Sequence, residues 1–327
     1  LEVPEDLKLR DLNTIAKLGG YLARQVGGSL PAGEPTGTAS DVPHGPSGAV
    51  AHTPEDGVQR LVVQAVELAP AQAGRVMEGQ RVLITTSGGS YAAAMAEKIT
   101  ARGGAPLIVG QGDGVHIGCD WLDSDDVARM ASRLKDQETA IDGLIHLVPM
   151  ENYNDRQLLD QERIDVGLKA FFRLIQGLYD HLDRPGTFIA VPTAQSTVFP
   201  YRDAGAAVDP LMAGVAGLLK TVNKELTGTH VKVVDFAAPS SAAALAETLM
   251  EELRGNDPRV EVGYDREHRW GLCLAPQAPD QGERFVQDGD TLLVTGGARG
   301  ITFEILRALV ETAKIRLVIL GRSDIEA

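Results

Sequence analysis

The sequence has only two cysteines, Cys119 and Cys273, in 327 residues. Two thiols build no disulfide framework, and the expectation is an intracellular, cytoplasmic protein. No uninterrupted apolar run reaches the roughly 20 residues that a membrane-spanning helix needs. The opening Leu1-Glu2-Val3-Pro4-Glu5-Asp6 lacks the charge and apolar stretch of a signal peptide. Basic charge is also scarce: 31 Lys and Arg stand against 45 Asp and Glu, for a net charge of −14. Such a surface repels phosphate backbones and anionic lipid, which excludes nucleic acid and membrane as expected partners. The seven histidines (His44, His52, His116, His146, His181, His230, His268) show no metal-ligand spacing and read as surface or strand residues.

The most informative stretch is 291–322, which reads strand, glycine turn, helix, strand. Leu292, Leu293 and Val294 form the short apolar run of a buried parallel strand. Gly296, Gly297 and Gly300 follow at once. Ile301, Ile305, Leu306 and Leu309 then recur at helical spacing, and Leu317, Val318, Ile319 and Leu320 make a second strand. Glycines in that place let backbone amides approach a pyrophosphate at the helix N-terminus, where the dipole favours negative charge. The plain alternative is a tight strand-to-helix turn; the surrounding βαβ pattern favours the dinucleotide. A cofactor without a 2′-phosphate meets an acidic residue at the end of the second strand. Here that place holds Gly321-Arg322-Ser323, and Arg299 sits inside the turn. Two guanidiniums and no carboxylate favour NADPH over NADH, because a dianionic phosphate needs forked donors. The candidate cofactor-binding residues are Gly296, Gly297, Arg299, Gly300, Ile301, Arg322 and Ser323. Thr302 stands where a last glycine is usual, so looser helix–strand packing is expected there.

The same pattern occurs earlier in altered form, Val82-Leu83-Ile84-Thr85-Thr86-Ser87-Gly88-Gly89-Ser90 followed by a helix and a strand ending near residue 110. With Thr85 laid on Thr295, Gly296 falls on Thr86, Gly297 on Ser87 and Gly300 on Ser90, while Gly88 and Gly89 fall on Ala298 and Arg299. The chain therefore reads as one degenerate and one intact copy of a unit. Between them the pattern predicts a helix at about 123–135, a strand at 143–148, a long helix at about 156–182, a strand at 187–191, a helix at 208–227, a strand at 231–236, a helix at 241–254 and strands at 259–264 and 269–274. Strands alternating with helices mean an α/β doubly wound parallel sheet, a degenerate Rossmann arrangement followed by the first β-α-β of a second one.

The rest of the chain is connection. Residues 1–26 contain a short amphipathic helix, and residues 27–57 are a Gly/Pro/Ala/Ser/Thr-rich linker that cannot bury enough surface to offset its ordering entropy. The folded body spans 58–275, a second linker 276–290, and the intact unit 291–327. With no initiator methionine and an end just past a second strand, the reading is a piece of a longer polypeptide.

The middle of the chain resembles the short-chain dehydrogenase/reductase family stretch by stretch while lacking its chemistry. Cys119-Asp120 matches the place of an acidic residue near the adenine. Residues 141–148 match the fourth strand, but the asparagine-rich turn reads His146-Leu147-Val148-Pro149. Residues 213–225 resemble the helix after the family's tyrosine and lysine; counting back places Met212 at the lysine and Val208 at the tyrosine. Neither can give a proton to a carbonyl oxygen or lower a phenol's pKa. Tyr201 has Gly205 four residues on, and Ser196 and Thr193 are expected to have no partner.

A degenerate copy, a linker and an intact copy resemble the ketoreductase region of polyketide and fatty-acid megasynthases, in which a non-binding structural subdomain precedes a catalytic one. The TGGARGIT wording is similar to that of polyunsaturated fatty-acid or enediyne-type synthases. LRDLNTIAKLGGYL resembles the closing helix of an acyl-carrier domain; a random amphipathic helix is the alternative. The resemblance implies an NADPH-dependent β-ketoacyl reductase and phosphopantetheine on a carrier domain outside this chain. It implies as partners an acyl-carrier domain bearing a β-ketoacyl thioester, a downstream catalytic subdomain and neighbouring synthase domains. Catalytic residues are expected past Ala327, so none is assigned here. A non-catalytic module that docks carrier and neighbouring domains is the alternative function; a complete small oxidoreductase is disfavoured by Val208 and Met212. Asp123, Asp125 and Asp126 read as a helix start rather than a cation site. Cys119 reads as a small buried residue, and Trp121 and Trp270 as core or contact residues.

Overall fold

The computed structural model describes residues 60–72, 77–136, 140–152, 160–202, 208–238, 241–266, 268–278 and 285–321. The helix expected at 1–26, the linker at 27–57, and Arg322 and Ser323 lie outside the described residues. One compact unit ends at Gln277 and another begins at Ala278.

The larger unit runs, in chain order, β1 (Leu61–Leu68), β2 (Arg81–Thr86), α1 (Tyr91–Ala101), β3 (Ala105–Gly110), β4 (Ile117–Gly118), α2 (Ser124–Lys135), β5 (Gly143–His146), α3 (Val148–Glu151), α4 (Asp160–Ile164), α5 (Ala170–Gly177), α6 (Tyr179–Leu182), β6 (Phe188–Ala194), α7 (Pro210–Glu225), β7 (His230–Phe236), α8 (Ala242–Leu253), β8 (Glu261–Asp265) and β9 (His268–Pro276). Its nine strands lie in the order β1-β9-β8-β7-β6-β5-β2-β3-β4. Every pairing from β4 to β8 is parallel. The two at the other edge are antiparallel, β8 with β9 and β9 with β1. The sheet is thus mostly parallel rather than wholly so, because only two residues, 266 and 267, lie between β8 and β9 and a parallel return needs a far longer crossover.

Both faces are covered, as parallel strands require. Leu83, Leu144, Ile189 and Val233 point to one face, packed under Val127, Met130 and Leu134 of α2, Phe171 and Leu174 of α5, and Val215 and Leu219 of α7. Val82, Ile84, Ile145 and Val234 point to the other, under Met95 and Ile99 of α1 and Leu245, Leu249 and Leu253 of α8. The alternation along β2 is the period of two that a strand imposes. Helix starts follow capping chemistry. Asp123 accepts from the Asp125 and Asp126 amides at the head of α2, and Asp209 accepts from Leu211 with Pro210 next to it.

Two expected elements differ. The strand expected at 143–148 ends at His146, and Val148-Pro149-Met150-Glu151 forms the single turn α3. The long helix expected at about 156–182 is broken. A π turn, Asp165–Lys169, lies between α4 and α5, and Leu178 interrupts the axis before α6. The π turn coincides with a fully buried histidine. His146 stacks on the Phe171 ring at a centroid distance of 4.1 Å. Its Nε2 lies 3.0 Å from the Gly167 carbonyl oxygen and its Nδ1 2.6 Å from Thr85 Oγ1. A carbonyl only accepts, so Nε2 donates and Nδ1 accepts from the threonine. Burial holds the imidazole neutral and pulls its pKa down to about 3.

A buried ion network closes the antiparallel edge. Glu252 of α8 accepts from Lys232 Nζ of β7 at 2.8 Å and from Arg269 of β9 at 2.8 Å through both Nε and Nη2. Arg269 also reaches Asp257 at 2.7 Å. Burial alone would raise the Glu252 carboxyl; the Arg269 and Lys232 cations overcome it and hold it at about 2. The folded pKa lies below the ordinary 4.5, so the unfolded chain binds more protons in that window. The stability from Glu252 is full above about pH 5 and is lost as pH falls toward 2. Glu252→Gln leaves Lys232 and Arg269 short of their counter-charge and is expected to cost about 3–5 kcal/mol. Urea unfolding of the two chains at pH 7 and pH 3 checks this: the gap between the midpoints should shrink at pH 3, and a gap independent of pH would contradict it.

Candidate cofactor-binding site

The smaller unit contains the intact glycine turn. β10 (Thr291–Thr295) and β11 (Arg316–Leu320) pair in parallel, with Thr295 opposite Leu320. α9 (Gly300–Thr312) connects them. Leu292, Leu309, Val310 and Leu317 pack around Val286, Ala313 and Ile315, which settles one face of the pair. The other face is open: Leu293 is 68% exposed, and Val318 and Leu320 are exposed as well.

The turn does what its residues allow. Gly296 and Gly300 have φ of +70° and +63°, the left-handed region that a side chain makes costly. The Gly296 amide donates to the Leu320 carbonyl at 2.7 Å, joining the turn to β11. Gly297 is buried; a Cβ there would stand 2.8 Å from both Leu306 Cδ1 and Val294 Cγ1. The close helix–strand approach is therefore made at Gly297, and Thr302 does not prevent it. Arg299 occupies the N-cap position with extended backbone, and Arg299, Gly300 and Ile301 are all exposed. The first amides of a helix have no intrahelical partner, so this turn offers donors and a favourable dipole to an anion from solvent. Five of the seven expected residues are brought together here; Arg322 and Ser323 lie outside the described residues.

The corresponding turn of the larger unit has a different fate. The Glu151 carboxylate, delivered by α3, sits on it. Ser87 N donates to Glu151 Oε2 at 2.6 Å, Thr86 Oγ1 lies 2.9 Å from both carboxylate oxygens, and Ser87 Oγ is 3.1 Å from Oε2. A Cβ on Gly89 would stand 2.7 Å from Glu151 Cγ. Trp121 seals the side toward β3, its Nε1 donating to the Thr86 carbonyl at 2.8 Å. A pyrophosphate cannot share the turn with this carboxylate and indole, so the residues of the larger unit do not fit a dinucleotide.

Farther along the same sheet edge a second carboxylate is engaged. Asp235 at the end of β7 accepts from the amides of Ser196 and Thr197 at 3.1 Å, Val198 at 2.9 Å and Phe199 at 3.4 Å, and from Thr193 Oγ1 at 2.8 Å. Thr193 and Ser196 thus have partners after all: Ser196 Oγ donates to the Ala194 carbonyl at 2.6 Å. Met212 is fully buried and its sulfur accepts from the Ala194 amide at 3.2 Å. Val208 and Tyr201 are exposed. Nothing among these side chains pairs a proton donor with a cation beside an open space. Cys119 is no nucleophile either: burial first, then Asp126, Asp120 and Asp123, push its thiol up to about 12. Trp121 is core, and Trp270 is half-buried with the Arg202 guanidinium 5.1 Å from its ring centroid. Among the described residues no group of His, Cys, Asp and Glu has the geometry of a metal site, and no helix is long and apolar enough to cross a membrane. Glu151 and Asp235 were not among the expected functional residues. Asp235 could have been found as one of two charges, with Lys232, inside the otherwise apolar run Val231–Phe236; Glu151 carries no local signal.

No protein-family model matches the chain. A polyketide synthase of Burkholderia thailandensis, ThaG, is 27% identical over 202 residues, which cover 61% of this chain and 3% of that protein. Among solved structures, the adenylation, ketoreductase and pseudo Asub region of a keto acid-selecting NRPS module aligns with a TM-score of 0.61 at 19% identity, over 82% of this chain and 23% of that one. An N-terminal ketoreductase from the macrolactin assembly line aligns with a TM-score of 0.58 at 18% identity, over 81% of this chain and 53% of that one. The first ketoreductase of the tylosin synthase aligns with a TM-score of 0.54 at 16% identity, over 80% and 50%. The chain thus spans about half the length of the ketoreductase structures it matches and a small part of the synthase. It is related in sequence to a polyketide synthase and carries the fold of the ketoreductase regions of such synthases.

Proposed function

We propose that the chain is the structural half, plus the start of the cofactor-binding half, of an NADPH-dependent β-ketoacyl reductase in a cytoplasmic multidomain polyketide or fatty-acid synthase. The parent reduces a carrier-bound β-keto thioester to the β-hydroxy thioester. The observation that carries this reading is the contrast between the two glycine turns. One is filled by Glu151 and Trp121, and the other presents Gly296, Arg299, Gly300 and Ile301 to solvent. A nicotinamide cofactor, when bound, supplies the hydride. The chain's own part is to hold the pyrophosphate on the amides at the head of α9, with Gly297 permitting the close helix–strand contact. Arg299, with Arg322 and Ser323, receives the 2′-phosphate. The proton for the new hydroxyl comes from residues beyond this segment, since Val208 and Met212 carry none to give. Phosphopantetheine belongs to the carrier domain that delivers the substrate.

Two outcomes are expected. The purified 327-residue chain should not oxidise NADPH in the presence of any β-ketoacyl thioester, followed at the cofactor's near-ultraviolet absorbance; steady turnover would place a working proton donor in the larger unit. In the full-length synthase, Arg322→Ala should raise the KM for NADPH about tenfold or more, the loss of a charged hydrogen bond of about 1.5–3 kcal/mol. The KM for NADH should change little. Equal changes for both cofactors would show that Arg322 does not meet the 2′-phosphate.

A further inference from the structure

The Thr86–Ser90 turn is built as an anion seat and already holds an anion. Ser90 is the N-cap residue of α1 but its side chain makes no capping hydrogen bond, and the helix's first turn carries no acidic residue. The head of this helix takes its negative charge from elsewhere in the chain. Glu151 lies 64 residues from Ser87 and brings its carboxylate to the Ser87 amide at 2.6 Å and to the Thr86 and Ser87 hydroxyls. The Gly89 amide adds a further donor. Asn152 Oδ1 lies 2.9 Å from Ser87 Oγ, so that the end of α3 is held over the turn through both Glu151 and Asn152. Gly89 leaves the space in which the carboxylate lies, since any Cβ would collide with Glu151 Cγ, Cδ and Oε1 within 2.8 Å. The pointer to an anion is therefore the carboxylate that a different element delivers. Burial raises the Glu151 carboxyl above the ordinary range, and the Ser87 and Thr86 donors oppose that rise.

We propose that Glu151 is an internal ligand of a latent oxyanion site, and that a chain lacking this carboxylate accepts a small free oxyanion in its place. The inference does not depend on the assignment of the second glycine turn.

The test uses the full chain carrying Glu151→Ala, with acetate and inorganic pyrophosphate as probes and chloride at matched ionic strength as control. The substituted chain should melt below the native one. Acetate or pyrophosphate should raise its Tm by about 2–4 °C, a shift readily resolved for a body of this size, and leave the native chain unmoved. Acetate alone acting would restrict the seat to carboxylates. Pyrophosphate acting at least as well would extend it to phosphates. A folded Glu151→Ala chain that responds to neither probe more than the native chain does overturns the proposal. If that chain is recovered only unfolded, the same anions are added during refolding: recovery with an oxyanion but not chloride supports the site, and recovery with none overturns it.

Discussion

Backbone amides that turn inward at the carboxyl end of a parallel sheet must find an acceptor, and at two places among the described residues of 60–277 that acceptor is a carboxylate of the chain itself. Glu151 takes the turn after β2 and Asp235 the loop after β6. An unsatisfied amide in such a place is costly, and a bare carboxylate there is costlier. Each cancels the other's cost. Much of the unit's order near this edge follows from that pairing. α3 exists where a longer strand was expected because the chain must turn after His146 to present Glu151. Residues 196–199 are wound tightly because four successive amides face one carboxylate.

The two copies of the unit therefore share a fold and part in chemistry. In the smaller one, glycine conformation and the Gly297 contact keep the helix head near the strand, with Arg299, Gly300 and Ile301 exposed. In the larger one, the glycines lie two residues later, hydroxyl-bearing Thr86, Ser87 and Ser90 stand in their stead, and the donors are consumed internally.

Much of the fold was legible in the sequence because it is written in local periodicity. The apolar runs of β2, β6 and β7, the spacing of Val127, Met130 and Leu134 in α2, and the acidic head of that helix all declare themselves within a few residues. The glycine turn at 296–300 was legible for the same reason. What was not legible depends on partners distant in the chain. The π turn answers to His146 some twenty residues earlier, the antiparallel edge to the pairing of Val62 with Ala275, and the plugged turn to Glu151. Ser196 and Thr193 were misread because their acceptors, a backbone carbonyl and Asp235, belong to no motif.

The antiparallel pairing of β1 with β9 has one more consequence. Leu61 lies opposite Pro276, and the Gln277 amide donates to the Arg60 carbonyl at 3.0 Å. The polypeptide thus enters and leaves this body through a single doorway, at the sheet edge far from β4. Units whose ends meet in this way can be inserted, exchanged or lost with little strain on the flanking chain.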